Sequence, residues 1–189
     1  MKKILFLLLI ITILSCKPKP PIIVMQTQYG NITLELYQDK APITVANFLQ
    51  YIDEKRLDST TFYRIVRDDN QKESPIKIQV IQGGLFEDNH PKMLPAIKHE
   101  NTQITGIKHI RGVISMARYE PGTATSEFFI CVDDEPELDF GGIRNSDGAG
   151  FAAFGKVVEG MDVVDKIHKS KADGQYLNPQ ILIYSIERK

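Results

Sequence analysis

The stretch Ile22-Ile23-Val24-Met25-Gln26-Thr27-Gln28-Tyr29-Gly30-Asn31-Ile32-Thr33-Leu34-Glu35-Leu36-Tyr37 sets the class of fold. The apolar run Ile22 to Met25 leads to the turn-like Tyr29-Gly30-Asn31, and from Ile32 to Tyr37 apolar and polar positions alternate. A period of two puts every second side chain on one face, so the segment reads as a β-hairpin with one buried side. The period then changes. Pro42 sits where a first helical turn tolerates a missing N–H, and Val45, Phe48, Leu49 and Ile52 follow at i, i+3, i+4 and i+7, the mark of an amphipathic helix.

Further strands are expected at Thr61 to Val66, Lys77 to Gln82, Gly112 to Ala117, Glu127 to Val132, Phe151 to Val158 and Ile181 to Ile186. A second helix opens near Gly160-Met161-Asp162, with Val163, Val164 and Ile167 as its apolar stripe and Asp162 near its positive end. The charged stretch Asp68 to Pro75 and the Gly-rich stretch Asp139 to Gly150 read as surface loops. About eight strands with one early and one late helix make the chain mainly β. They favour a closed antiparallel eight-stranded barrel with two capping α-helices, although a sandwich fits the same pattern.

The first residues belong to a different kind of segment. Lys2 and Lys3 precede an apolar run from Ile4 to Leu14, too short to cross a bilayer but suited to a secretory signal over residues 1–15. Its end, Ile13-Leu14-Ser15-Cys16, resembles the lipobox of bacterial lipoprotein precursors, with Cys16 as the lipidated mature N-terminus. The prolines of Lys17-Pro18-Lys19-Pro20-Pro21 exclude helix, so residues 16–21 are expected to be an extended tether before a domain spanning 22–189. The expected address is the bacterial cell envelope, periplasm-facing or surface, with lipid-mediated membrane attachment.

Cys131 is the only other cysteine, so no disulfide is expected within the folded domain, which must rest on an ordinary core. A lone thiol in an apolar strand reads as inert packing. The net charge is −1, and nothing resembles the basic stripe of a nucleic-acid binder. His90, His99, His109 and His168 lack close ligand spacing, so neither a metal nor another cofactor is expected.

Several segments together resemble the cyclophilin family of peptidyl-prolyl cis-trans isomerases. They are Ala41-Pro42-Ile43-Thr44-Val45-Ala46-Asn47-Phe48, Phe62-Tyr63-Arg64-Ile65, Gln82-Gly83-Gly84, Gly112 to Ala117, Ser126 to Ile130, Leu138-Asp139 and Phe154 to Met161. Each is weak alone; their order and spacing are specific. The resemblance implies a barrel that binds proline-containing polypeptide clients and accelerates Xaa-Pro rotation in exported proteins, with a monomer as the default expectation. A non-catalytic proline-peptide-binding module on the same fold is the alternative.

By the same resemblance, Arg64 and Gln82 are the catalytic residues. Phe62, Val80, Met116, Ala117, Arg118, Phe129, Leu138 and Phe151 would bind substrate, with Phe129 as the floor of a proline cup. An arginine suits the chemistry, because a permanently charged fork of donors can stabilise a prolyl nitrogen as it pyramidalises. The chain departs from the better-known members at several groove positions. Glu137 stands for a tryptophan, Phe151 for a histidine, Arg118 for an asparagine and Glu127 for a glutamine. An insertion with charged residues from Arg67 to Glu73 lengthens the approach to Gln82, and one of Ile76, Ile78 or Gln79 must replace an aromatic wall.

Overall fold

A computed structural model describes residues 19–189. The expected signal segment and Cys16 lie outside those residues. The opening hairpin forms as read, with β1 (Ile22–Thr27) antiparallel to β2 (Gly30–Leu36) and Thr27 opposite Gly30 at the turn. Alternation carries through to burial, since Ile23 and Met25 of β1 face Leu34 and Ile32 of β2 inside the core.

The other strands are β3 (Thr60–Val66), β4 (Val80–Gly84), β5 (Val113–Met116), β6 (Phe128–Cys131), β7 (Ala152–Glu159), β8 (Ala172–Asp173) and β9 (Tyr176–Arg188). They pair antiparallel in the order β1-β2-β7-β5-β6-β4-β3-β9, and β1 then pairs with β9 to close the ring. Eight strands therefore make a barrel, and the two-residue β8 hangs on β9 as a flap. Closure removes the exposed sheet edges that a sandwich would have to protect. β4 begins at Val80 rather than Lys77 because the preceding residues are held by side chains instead of a neighbouring strand.

Helix α1 (Pro42–Asp53) starts on the expected proline and buries Val45, Phe48, Leu49 and Ile52. Phe48 packs edge-on against Phe128 at 5.6 Å and tilts against Phe154 at 5.1 Å, so the helix is fixed by an aromatic cluster inside the barrel. The short α2 (Thr102–Thr105) is unpredicted; Asn101 caps it and Gly106 ends it in the left-handed region. Helix α3 (Met161–His168) buries Val163, Val164 and Ile167 as its period required. All these side chains join one interior core, while Val66, Ile78, Val80, Phe129, Cys131 and Leu138 form a second cluster.

Candidate active site

The second cluster exists because β3 breaks its own alternation. Phe62 pairs with Gly83 and Arg64 with Gln82, so the register slips by one residue at Tyr63. Such a bulge turns two consecutive side chains to one face. Phe62 and Ile65 remain in the interior core, whereas Tyr63 and Arg64 both line a cavity of about 330 Å³ on the outside of the barrel.

Arg64 is clamped in that cavity. Its Nη1 donates to Gln82 Oε1 at 2.7 Å, and its Nε and Nη2 donate to Gln175 Oε1 at 2.9 and 2.5 Å. Gln175 is itself tied down, donating through Nε2 to the Asn70 carbonyl. A guanidinium has five N–H donors, so three are engaged and two remain for a ligand. Burial lowers the pKa of Arg64, while Tyr63 and Tyr176 push it back up; an arginine nevertheless stays cationic.

The chain of bonds continues behind it. Gln82 Nε2 donates to Tyr63 Oη at 2.7 Å, and Tyr63 Oη donates to Glu127 Oε2 at 2.5 Å. Glu127 Oε1 also accepts the Leu85 and Phe86 N–H groups and the Ser126 hydroxyl. Burial, reinforced by Glu127, raises the Tyr63 phenol well above its ordinary pKa, so it keeps the proton it donates. Gly84 makes the arrangement possible, because a Cβ there would sit 2.5 Å from the Glu127 carboxyl group and its φ is +145°. Gly83 is equally constrained, with a would-be Cβ 2.8 Å from the Thr61 carbonyl.

Beside Arg64 lies an apolar cup. Val80, Phe129, Leu138 and Phe151 line it, with Ile78 filling the place of the missing aromatic residue. Phe129 and Phe151 meet edge-on at 5.4 Å. The rear of Phe129 stacks on His109, whose centroid is 5.9 Å away, and Nδ1 and Nε2 of that histidine contact Asp139 and Ser115 at 2.9 Å each. Burial lowers the His109 pKa, and burial of Asp139 is outweighed by its bonds from His109, leaving that carboxyl below its usual range. Ile78 is held in the wall by Gln71, whose amide accepts the Ile78 N–H and donates to the Ile78 carbonyl. The inserted segment therefore supplies a cup wall and the clip that fixes it.

The cavity thus brings together Arg64, Gln82, Val80, Ala117, Phe129, Leu138 and Phe151. Two expectations are corrected. Phe62 is fully buried against Phe128 in the interior because it precedes the bulge, and Met116 pairs with Phe128 and Ala152 on the same interior face. Arg118 lies along the cavity but serves as a strut: it donates to the Gly150 and Tyr119 carbonyls, pairs with Asp147 and covers the Phe151 ring at 5.0 Å. Tyr63, Phe86, Arg144 and Gln175 escaped the sequence reading as site residues. Phe86 tilts against Tyr63 with ring centroids 4.6 Å apart yet remains half exposed at the cavity rim. Of these, only Tyr63 had a signal in the sequence, its place beside Arg64.

A family model described as cyclophilin type peptidyl-prolyl cis-trans isomerase/CLD matches residues 22–188. A peptidyl-prolyl cis-trans isomerase of Acinetobacter baylyi is 40% identical over 144 residues, covering 76% of this chain and 69% of that protein. Peptidyl-prolyl cis-trans isomerase B of Escherichia coli strain K12 is 38% identical over 154 residues, covering 81% and 87% respectively. A crystal structure of a cyclophilin type peptidyl-prolyl cis-trans isomerase from Cryptosporidium parvum, in the presence of the dipeptide Ala-Pro, matches with a TM-score of 0.71 at 21% identity, over 89% of this chain and 98% of that one. That likeness concerns the fold.

Proposed function

The chain belongs to the cyclophilin-type peptidyl-prolyl cis-trans isomerase family, and on that premise we propose that its groove accelerates rotation about Xaa-Pro bonds, with Arg64 as the principal catalytic group. Amide resonance sets a barrier of about 20 kcal/mol, and no bond is made or broken on crossing it. A catalyst must therefore bind the twisted amide better than either planar form, each ~1.4 kcal/mol of preference giving about tenfold in rate. The observation that carries the reading is the clamped guanidinium beside the cup, with two donors unspent. The cup would hold the ring while Arg64 donates to the substrate and stabilises the pyramidal nitrogen. Clamping by Gln82 and Gln175 means that little reorganisation accompanies the twist.

The test is exchange NMR on an Ala-Pro-Phe peptide with protein starting at Lys17 and its Arg64→Ala variant. Strong acceleration that collapses in the folded variant supports the assignment. Saturable binding without acceleration would leave a peptide-binding module.

The same proposal extends to the address. Lys2, Lys3, the apolar run to Leu14 and Cys16 support export and lipid attachment, which would set the groove to work on polypeptides arriving at the envelope. Metabolic labelling with palmitate, present in the full chain and lost in Cys16→Ala, is the expected outcome.

A further inference from the structure

The chain has seven arginines, and five of them, Arg56, Arg67, Arg111, Arg118 and Arg188, lie within 4.0 Å of a carboxylate oxygen. Arg64 and Arg144 do not pair with a carboxylate among the described residues, and both line the same cavity. Arg144 comes from the loop between Leu138 and Phe151 and also lines the adjoining cavity toward Ile143 and Asp147. Its Nη1 binds Gln71 Oε1 at 3.0 Å, Ser74 Oγ at 2.6 Å and the Ile76 carbonyl. Nε and Nη2 bond to no acceptor among the described residues, although the side chain is only partly exposed. The guanidinium is thus positioned by neutral oxygens, with most of its donors unspent.

Two cations sharing one cleft repel each other, and that cost falls when an anion enters. Burial lowers the Arg144 pKa and the Arg64 charge lowers it further, in keeping with this repulsion, while the charge of Glu135 pushes it back up by less. The acidic side chains that line the cavity, Glu87, Asp88 and Glu127, form no ion pair with either arginine, and Glu127 is occupied by Tyr63.

We propose that Arg144 is a specificity-determining residue, which selects proline segments carrying a carboxylate side chain within two residues of the proline. The proposal rests on the groove being the proline-binding site. Arg144 is fixed by the insertion that forms the cup wall, so one segment sets both the pocket for the ring and the charge beside it.

The test compares acetylated, amidated peptides of the forms Ala-Ala-Pro-Asp-Ala and Asp-Ala-Pro-Ala-Ala with their Asn counterparts. Dissociation constants come from NMR titration and rates from exchange NMR. One Asp peptide is expected to bind about tenfold more tightly than its Asn counterpart, as a charge-assisted pair at a partly buried site should. The preference should shrink at high salt. It should vanish in Arg144→Gln and persist in Ser74→Ala, which loosens the same loop without removing the charge. Equal affinity of Asp and Asn peptides in the native protein, or a preference retained by Arg144→Gln, would overturn the assignment. Because affinity is read separately from rate, binding with the Asp preference but no acceleration would refute the isomerase reading and uphold Arg144.

Discussion

Glu135 offers a stability measurement whose size follows from its surroundings. The residue is 5% exposed, its Oε1 accepts the Gln79 N–H at 2.6 Å, and the preceding strand, β6, ends four residues before it. Burial pushes its carboxyl up to about 7 from an ordinary 4.5, helped by the negative charges of Asp133 and Asp68 and opposed by the Gln79 bond and Arg144. Desolvation therefore outweighs the hydrogen bond. Between pH 4.5 and about 7 the unfolded chain releases this proton while the native chain keeps it, so unfolding free energy falls as pH rises. A shift of 7 minus 4.5 units, at 1.36 kcal/mol each, makes the loss about 3 kcal/mol. The contribution is fully present below pH 4.5 and gone above about 7. His99, His109 and His168, whose pKa values burial lowers, act in the opposite direction, so the variant must be compared with the native protein at each pH. Glu135→Gln keeps an acceptor for Gln79 but cannot ionise. Urea unfolding should show the variant gaining about 3 kcal/mol on the native protein between about pH 4.5 and 8, equivalent to roughly 10 °C in Tm. A difference that stays constant across that range would refute the reasoning.

Gln175→Ala removes two of the three bonds that hold Arg64, so kcat/KM should fall about tenfold. Faster hydrogen exchange at Arg64 Nε, read by NMR, should accompany the loss; an unchanged Nε signal would mean that Gln175 does not position it. Tyr63→Phe deprives Gln82 of an acceptor and Glu127 of a donor, at a cost of about 1–3 kcal/mol in urea unfolding. Peptide exchange rates should also drop as Gln82 loses its orientation, and a variant with native stability and rate would show the relay to be inert.

The hairpin, both long helices and the positions of the longer strands along the chain were legible because one side of each element is buried, which imprints a period on the sequence. The pattern of strands and helices favoured the barrel but left a sandwich open, and the resemblance decided between them. Phe62 and Met116 were misplaced for a related reason. Alternation gives a relative phase, and the slips at Tyr63 and between Ile114 and Ser115 shift that phase in β3 and β5 without leaving a mark in residue type. Gln175 and Arg144 were illegible because they reach the cavity from a turn and a loop, where no period exists, at sequence distances of 111 and 80 from Arg64. Ile78 was one of three options, and the choice depended on the Gln71 amide, which only the fold brings into reach.

The ring of strands closes between its first and its last members: Ile23 lies opposite Arg188, and the Lys189 N–H reaches the Ile22 carbonyl. Synthesis delivers those partners at opposite times. As the chain emerges, β1 and β3 each wait for β9, so two open edges persist until the final strand appears. The groove wall is exposed to the same delay, since Gln175 immediately precedes that strand. Assembly of the clamp around Arg64 thus waits until Gln175 has been made, and a nascent chain stalled short of that residue would hold Arg64 without the amide that orients it.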